Sequence, residues 1–150
     1  MRLVIQRVEK ASVETGGRII GKIGKGLLIL VGVEEGDTEA DVEWLASKTV
    51  AMRIFPDQEG VMNLSLCQVD GEALAVSQFT LTASTKKGNR PSYIRAARPE
   101  TAIPLYNSYC HRLSLLLGKE IPTGEFGADM KVALVNDGPV TIIIDSKLKE

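Results

Sequence analysis

Three stretches of this chain carry groups suited to chemistry. The first is "VSQFTLTAST", Val76 to Thr85. Ser77, Thr80, Thr82, Ser84 and Thr85 bring hydroxyls, and Gln78 brings an amide. An apolar run that turns polar at its far end puts such groups where a sheet commonly exposes a ligand site. A strand that simply leaves the core gives the same pattern. Thr80 is a weak nucleophile, and no base stands beside it. Backbone N–H groups at the strand end could instead hold an oxyanion. The second stretch is "KKGNRPSYIRAAR", where Lys86, Lys87, Arg90, Arg95 and Arg98 precede any acid until Glu100. Such a patch suits phosphate contacts, and Tyr93 could stack on a base. A solvated loop would also look like this. The third is "NDGPVTI", Asn136 to Ile142, inside the final apolar run. Proline lacks a backbone N–H and is a poor guest inside a sheet. Gly138 lets its carbonyl approach a ligand closely, and Pro139 can hold a cis bond that turns consecutive carbonyls to one side. A bend between strands, or an edge-strand proline, fits as well.

Other chemistries lack their parts. His111 is the one histidine, and it falls off the apolar stripe of its segment. Ser-His-Asp and Cys-His sites are therefore unsupported. Cys67 and Cys110 match no metal pattern and read as two buried or partly buried free thiols in a reducing compartment. There is no GxxxxGK[ST] and no GxGxxG after a strand. The expectation is no metal and no cofactor. An enzyme built from these residues must work with backbone groups, hydroxyls, amides or groups of its own substrate.

The elements that must position these groups follow from patterning. "MRLVIQRV" alternates, with Leu3, Ile5 and Arg7 on one face, and reads as a strand. "ASVETGGRIIGKIG" reads as a hairpin turning at its glycines. "GLLILVGV" is a continuous apolar strand, hence one buried on both faces. A helix starts after Asp37 or Thr38, with Val42, Leu45, Ala46, Thr49 and Met52 as its inward stripe. "EALAVSQFTL" reads as a further strand, and Thr85–Pro99 as an irregular segment. A second helix covers "PETAIPLYNSYCHRLSLLLG". Its stripe is Ala102, Leu105, Tyr106, Tyr109, Leu113, Leu116 and Leu117, Pro104 lies at its start or in its first turn, and Gly118 ends it. "DMKVALV" and "TIIID", on either side of Gly-Pro, close the chain. The fold class is α+β, a mostly β core with two main helices, in one domain spanning residues 1–150. The chain is 44% hydrophobic and 25% charged with net charge −1, so bulk charge does not mark a nucleic-acid binder. Its start is too short and charged for a signal peptide, and no apolar run nears the roughly 20 residues of a membrane span. A cytoplasmic protein without membrane contact is expected, with the apolar C-terminal strands open to cover by a partner subunit.

Taken together, these pieces resemble the D-aminoacyl-tRNA deacylase family of the common bacterial and eukaryotic type. The resemblance runs from "RLVIQRVEKASV" through "GKIGKGLLILVGV", "RIFPDQEGVMNLS", "VSQFTLTA" and "KKGNRPSY" to "TGEFGADMKVALVNDGPVTI". It rests on two signatures in order, SQFTL at 77–81 and GPVT at 138–141. Tyr93 stands where phenylalanine is expected. The resemblance implies a cofactor-free homodimer that hydrolyses the ester of D-aminoacyl-tRNA, and of glycyl-tRNA including mischarged forms. It implies that Ser77, Gln78, Phe79 and Thr80 line the reaction site. A cis Gly138–Pro139 bond would reach into the other subunit and exclude L side chains, with Arg7 holding that motif. Lys86, Lys87 and Arg90 would meet tRNA. Thr80 is either a nucleophile or a bystander to its own backbone; the missing histidine favours the second. An RNA-binding module without chemistry and a small-molecule-binding dimer are the competing classes.

Overall fold

The strand that begins before Leu3 does not stop at Val8, although its alternation breaks there, with Val8 buried and Glu9 and Lys10 exposed. In the computed structural model, which describes residues 1–149, strand β1 runs Arg2–Thr15. Gly16 and Gly17, both at positive φ, turn it into β2, Arg18–Ile23. Strand β3, Gly26–Gly32, continues in the same line. Ala11 faces Ile23 on β2, Val8 faces Gly26 on β3, and Arg2 faces Gly32, so β2 and β3 form one long return strand along β1. Strand β6, Glu72–Ser77, lies parallel outside β3. The last strand, β7, spans Lys131–Asp145 and pairs antiparallel with the other side of β1. It is one continuous strand, not two runs separated by a bend. Gly26 is required by close approach: a Cβ there would lie 1.9 Å from the Glu72 carbonyl oxygen.

Both faces of the sheet centre are covered. Leu3, Ile5, Leu27, Ile29 and Phe55 are fully buried on the helix side. Val8, Val13, Leu28, Leu74 and Val76 build a smaller cluster opposite, with Met130, Val132 and Leu134 packed on it. That two-sided burial is why "GLLILVGV" lacks alternation.

Helix α1 runs Glu39–Ala51, and the Thr38 N–H donates to the Asp41 carboxylate at 2.8 Å. Val42, Leu45, Ala46 and Thr49 are buried as expected, and Met52 is half-buried at the C-cap. Pro56 belongs to a small hairpin missed in the patterning, β4 Phe55–Pro56 with β5 Met62–Leu64. Helix α2 runs Pro99–Leu117 and closes at Gly118, φ 68°. Proline takes the first position at Pro99, so Pro104 stands within the helix rather than starting it. Leu116 is exposed, off the buried stripe, and His111 is exposed as expected. Cys110 is buried, which pushes its thiol up to about 11. Cys67 departs from expectation: it is exposed in the loop after β5.

One buried polar contact joins the helices. The Thr49 hydroxyl donates to the Leu45 carbonyl at 2.8 Å and lies 2.9 Å from the Tyr109 hydroxyl. With its proton committed to Leu45, Thr49 accepts from Tyr109, and both residues are fully buried. Thr49→Val therefore orphans a buried donor and should cost about 1–3 kcal/mol, whereas Tyr109→Phe removes the donor itself and should cost about 1 kcal/mol or less. Urea unfolding of the two variants checks the order.

Candidate active site

The strand expected across "EALAVSQFTL" ends at Ser77. The Gln78 N–H still bonds to the Val31 carbonyl at 2.7 Å, and then Phe79–Thr82 coils into a 3₁₀ turn. Gly32 makes room for it: a Cβ there would sit 3.0 Å from Leu81 Cβ and 3.1 Å from the Gln78 oxygen. Within the turn, the Leu81 N–H bonds to Gln78 O and the Ala83 N–H to Thr80 O. The first N–H groups of such a turn have no internal acceptor. Those of Phe79 and Thr80 meet no backbone acceptor among the described residues. These are donors of the kind that can receive a developing negative charge.

Thr80 is poorly equipped as a nucleophile. Its hydroxyl accepts from the Gln78 side-chain amide, and no histidine or carboxylate bonds to it among the described residues. Phe79 is 55% exposed, and the Tyr93 ring meets it edge-on with centroids 5.1 Å apart. A cavity of about 310 Å³ opens beside the turn. Ser77, Gln78 and Phe79 form one wall; the segment from Phe126 to Met130 forms the other. No periodicity or motif in the sequence singles out that second wall. Its signal was a lone Phe126 between Gly124 and Gly127 just before an apolar strand.

The basic segment divides in two. Ser84 and Ser92 exchange N–H to carbonyl bonds, 2.9 Å each, and pinch off the loop between them. Lys86, Lys87 and Arg90 stand exposed on that loop and join no ion pair among the described residues. Arg95 instead reaches 3.5 Å from Glu34 and donates to the Thr82 carbonyl.

The Gly-Pro motif sits elsewhere. Val8 pairs with Asn136 and Gln6 with Thr141, so Asp137 to Val140 bulge out opposite Arg7 alone. The proline's missing N–H is thus outside the ladder. Asn136 closes the bulge: its side chain accepts from the Val140 N–H at 2.8 Å and donates to the Val140 carbonyl at 3.2 Å. Arg7, 8% exposed, donates to the Asp137 carbonyl at 2.9 Å and to the Ile54 carbonyl at 2.5 Å. The Gly138–Pro139 bond is cis, and Gly138 has φ +146°. A Cβ on Gly138 would lie 2.7 Å from Val140 Cγ2 and 3.1 Å from Arg7 Nη2. Gly138 and Pro139 are exposed and do not line their own chain's cavity. The chain therefore gathers Ser77–Thr80 and Arg7–Gly138–Pro139 as two separate groups.

The family model described as D-Tyr-tRNA(Tyr) deacylase matches residues 4–145. The chain belongs to the D-Tyr-tRNA(Tyr) deacylase family. It is 60% identical to the D-aminoacyl-tRNA deacylase of Parabacteroides distasonis and 63% identical to that of Akkermansia muciniphila, each over 150 residues and all of both chains. Among solved structures it is similar to a c-Myc DNA unwinding element binding protein, with TM-score 0.92 and 39% identity over 97% of this chain and 98% of that one. A probable eukaryotic D-amino acid tRNA deacylase shares the fold at TM-score 0.83 and 15% identity, covering 95% and 97%.

In this deacylase-family chain Arg7 is the sole side chain among the described contacts that donates to two backbone carbonyls, one on β7 and one just before β4. Arg7→Met should lower unfolding free energy by about 1.5–3 kcal/mol, the range for hydrogen bonds from a charged group. It should also raise amide exchange at Val140, measured by NMR.

Proposed function

We propose that this protein hydrolyses the ester of D-aminoacyl-tRNA, releasing a D-amino acid and tRNA, and that it leaves L-aminoacyl-tRNA intact. The observation that carries this reading is the pair of N–H groups on Phe79 and Thr80, without an acceptor among the described residues, in a turn whose Phe79 lines a cavity of a deacylase-family chain. Water attacks the ester carbonyl, and the oxyanion is received by those two N–H groups. The neighbouring 2′-hydroxyl of the terminal ribose helps activate the water. The bond to the 3′ oxygen then breaks, and that oxygen takes a proton. Ser77 and Gln78 line the same site. No side chain needs to become a covalent carrier, which suits a threonine without a base.

Chirality is read by backbone. Gly138 and Pro139 of a second copy present carbonyls around the substrate α-carbon and its amino group, and an L side chain collides with them. Their exposure, together with a cavity of their own chain that they do not line, supports delivery to a partner in a homodimer. Glycine carries no side chain to exclude, so glycyl-tRNA, including mischarged Gly-tRNA(Ala), is a substrate too. Residues 1–150 act as one domain, in the cytoplasm, without metal or cofactor. Lys86, Lys87 and Arg90 meet the tRNA backbone.

Incubation with D-tyrosyl-tRNA and L-tyrosyl-tRNA tests this directly: rapid loss of the D ester alone is expected. Binding without hydrolysis would favour an RNA-binding module. Thr80→Ala should keep substantial turnover, because its backbone N–H remains; loss of essentially all turnover with intact tRNA binding would make Thr80 the nucleophile. Replacing Lys86, Lys87 and Arg90 with glutamine should weaken tRNA binding more at low salt than at high salt, as released counterions require. Filter binding across a salt series reads it.

A further inference from the structure

We propose that Arg2 and Arg95 are positioning residues for the Phe79–Thr82 turn, each gripping one of its last two carbonyls so that its free N–H groups keep one direction. The inference rests on the oxyanion reading of that turn. Arg2 Nη1 donates to the Leu81 carbonyl at 3.0 Å. Its Nε and Nη2 both reach Asp145 Oδ2, at 3.0 and 2.8 Å. The pair is mostly buried, with side chains 24% and 11% exposed. Burial works against the Asp145 carboxylate, yet the Lys147 N–H and Arg2 outweigh it and hold its carboxyl below the usual range. One guanidinium thus joins β1, the turn and the end of β7.

Arg95 takes the next carbonyl. Its Nη2 and Nε lie 3.2 and 3.4 Å from Thr82 O. On its other side Glu34 waits at 3.5 Å, with a buried Oε1 that has no hydrogen-bond partner among the described residues. Arg95 is the charge that offsets that carboxylate. Thr82 itself is fully buried, and its hydroxyl donates to the Phe79 carbonyl at 2.9 Å.

The effect on the N–H end follows from geometry. Each peptide unit is a rigid plane with its C=O and N–H antiparallel. Holding the Leu81 and Thr82 carbonyls fixes two successive planes. The Leu81 N–H to Gln78 and Thr82 hydroxyl to Phe79 bonds pass that orientation back to the start of the turn. Charge-assisted bonds resist rotation better than neutral ones. This assigns Arg95 a role other than the phosphate contact that its place in the basic segment suggested.

The two roles give opposite kinetics. Positioning acts on the transition state, so it moves kcat; a phosphate contact moves KM and its salt dependence. The full-length protein and its Arg2→Met, Arg95→Met, Arg2→Lys and Arg95→Lys variants are assayed on D-tyrosyl-tRNA over a salt series. Each Met variant should lose about 10- to 100-fold in kcat, less than or near the loss of a whole donor. KM should stay within about twofold, with an unchanged salt slope. The Lys variants, which keep one donor but not the fork, should recover part of kcat. They also carry the test if a Met variant fails to fold. Unchanged kcat in any folded Met or Lys variant overturns the proposal for that residue. A raised KM with a shallower salt slope for Arg95→Met makes it an RNA contact and overturns its positioning role. Absence of D-ester hydrolysis by the unaltered protein would instead sink the deacylase reading itself.

Discussion

Strand β1 is hydrogen-bonded on both sides along its length, and its register sets everything that matters for the site. Leu3, Ile5 and Arg7 share one face, and Arg2 and Val4 share the other. A slip of one residue would exchange the faces and send Arg7 away from the bulge. The buried leucine and isoleucine forbid that slip. So the ordinary hydrophobic demand of one strand places two arginines at two different main-chain features: Arg7 under the Asp137–Val140 bulge, and Arg2 against the Leu81 carbonyl.

Both features are main chain, and main-chain geometry leaves little trace in residue patterning. Along "EALAVSQFTL" the alternation of Ala75, Ser77, Phe79 and Leu81 continues past Ser77, so pattern alone extends the strand. What ends it is tertiary: β3 runs out at Gly32, and the chain coils where its neighbour stops. Likewise Gly-Pro looked like a gap between two strands because proline cannot join a ladder. It can stay within one strand when the chain bulges away from the ladder, and Asn136 supplies the closure. The helices were legible because a 3.6-residue period survives context; even so, Leu116 matches the stripe by spacing and lies exposed. The basic run is not uniform. Charge in sequence says nothing of what lies opposite, and Glu34 takes Arg95 out of the free set.

On the proposed mechanism, a reactive ester needs little side-chain chemistry. The groups that reading uses are a threonine hydroxyl occupied by a neighbouring amide, two N–H groups, and the backbone of the exposed residues Gly138 and Pro139. Backbone groups cannot be mutated away singly, so the side chains open to variation are those that aim them. Arg2, Arg7 and Arg95 each bond to main chain of the turn or the bulge and to a second, distant residue (Asp145, Ile54 and Glu34 respectively), and Asn136 clasps its own strand.

The pairing of β1 with β7 also bears on how the chain comes off the ribosome. Residues 2–15 can fold at once onto 18–32, which are close in sequence, but their other edge stays open until 131–145 have been made. That is a contact of very high sequence separation, slow to form for entropic reasons. Through most of synthesis, the strand at the centre of the finished sheet is an unprotected edge. The bulge carrying Gly138 is therefore among the last features to be shaped, and its shaping coincides with the closing of the sheet.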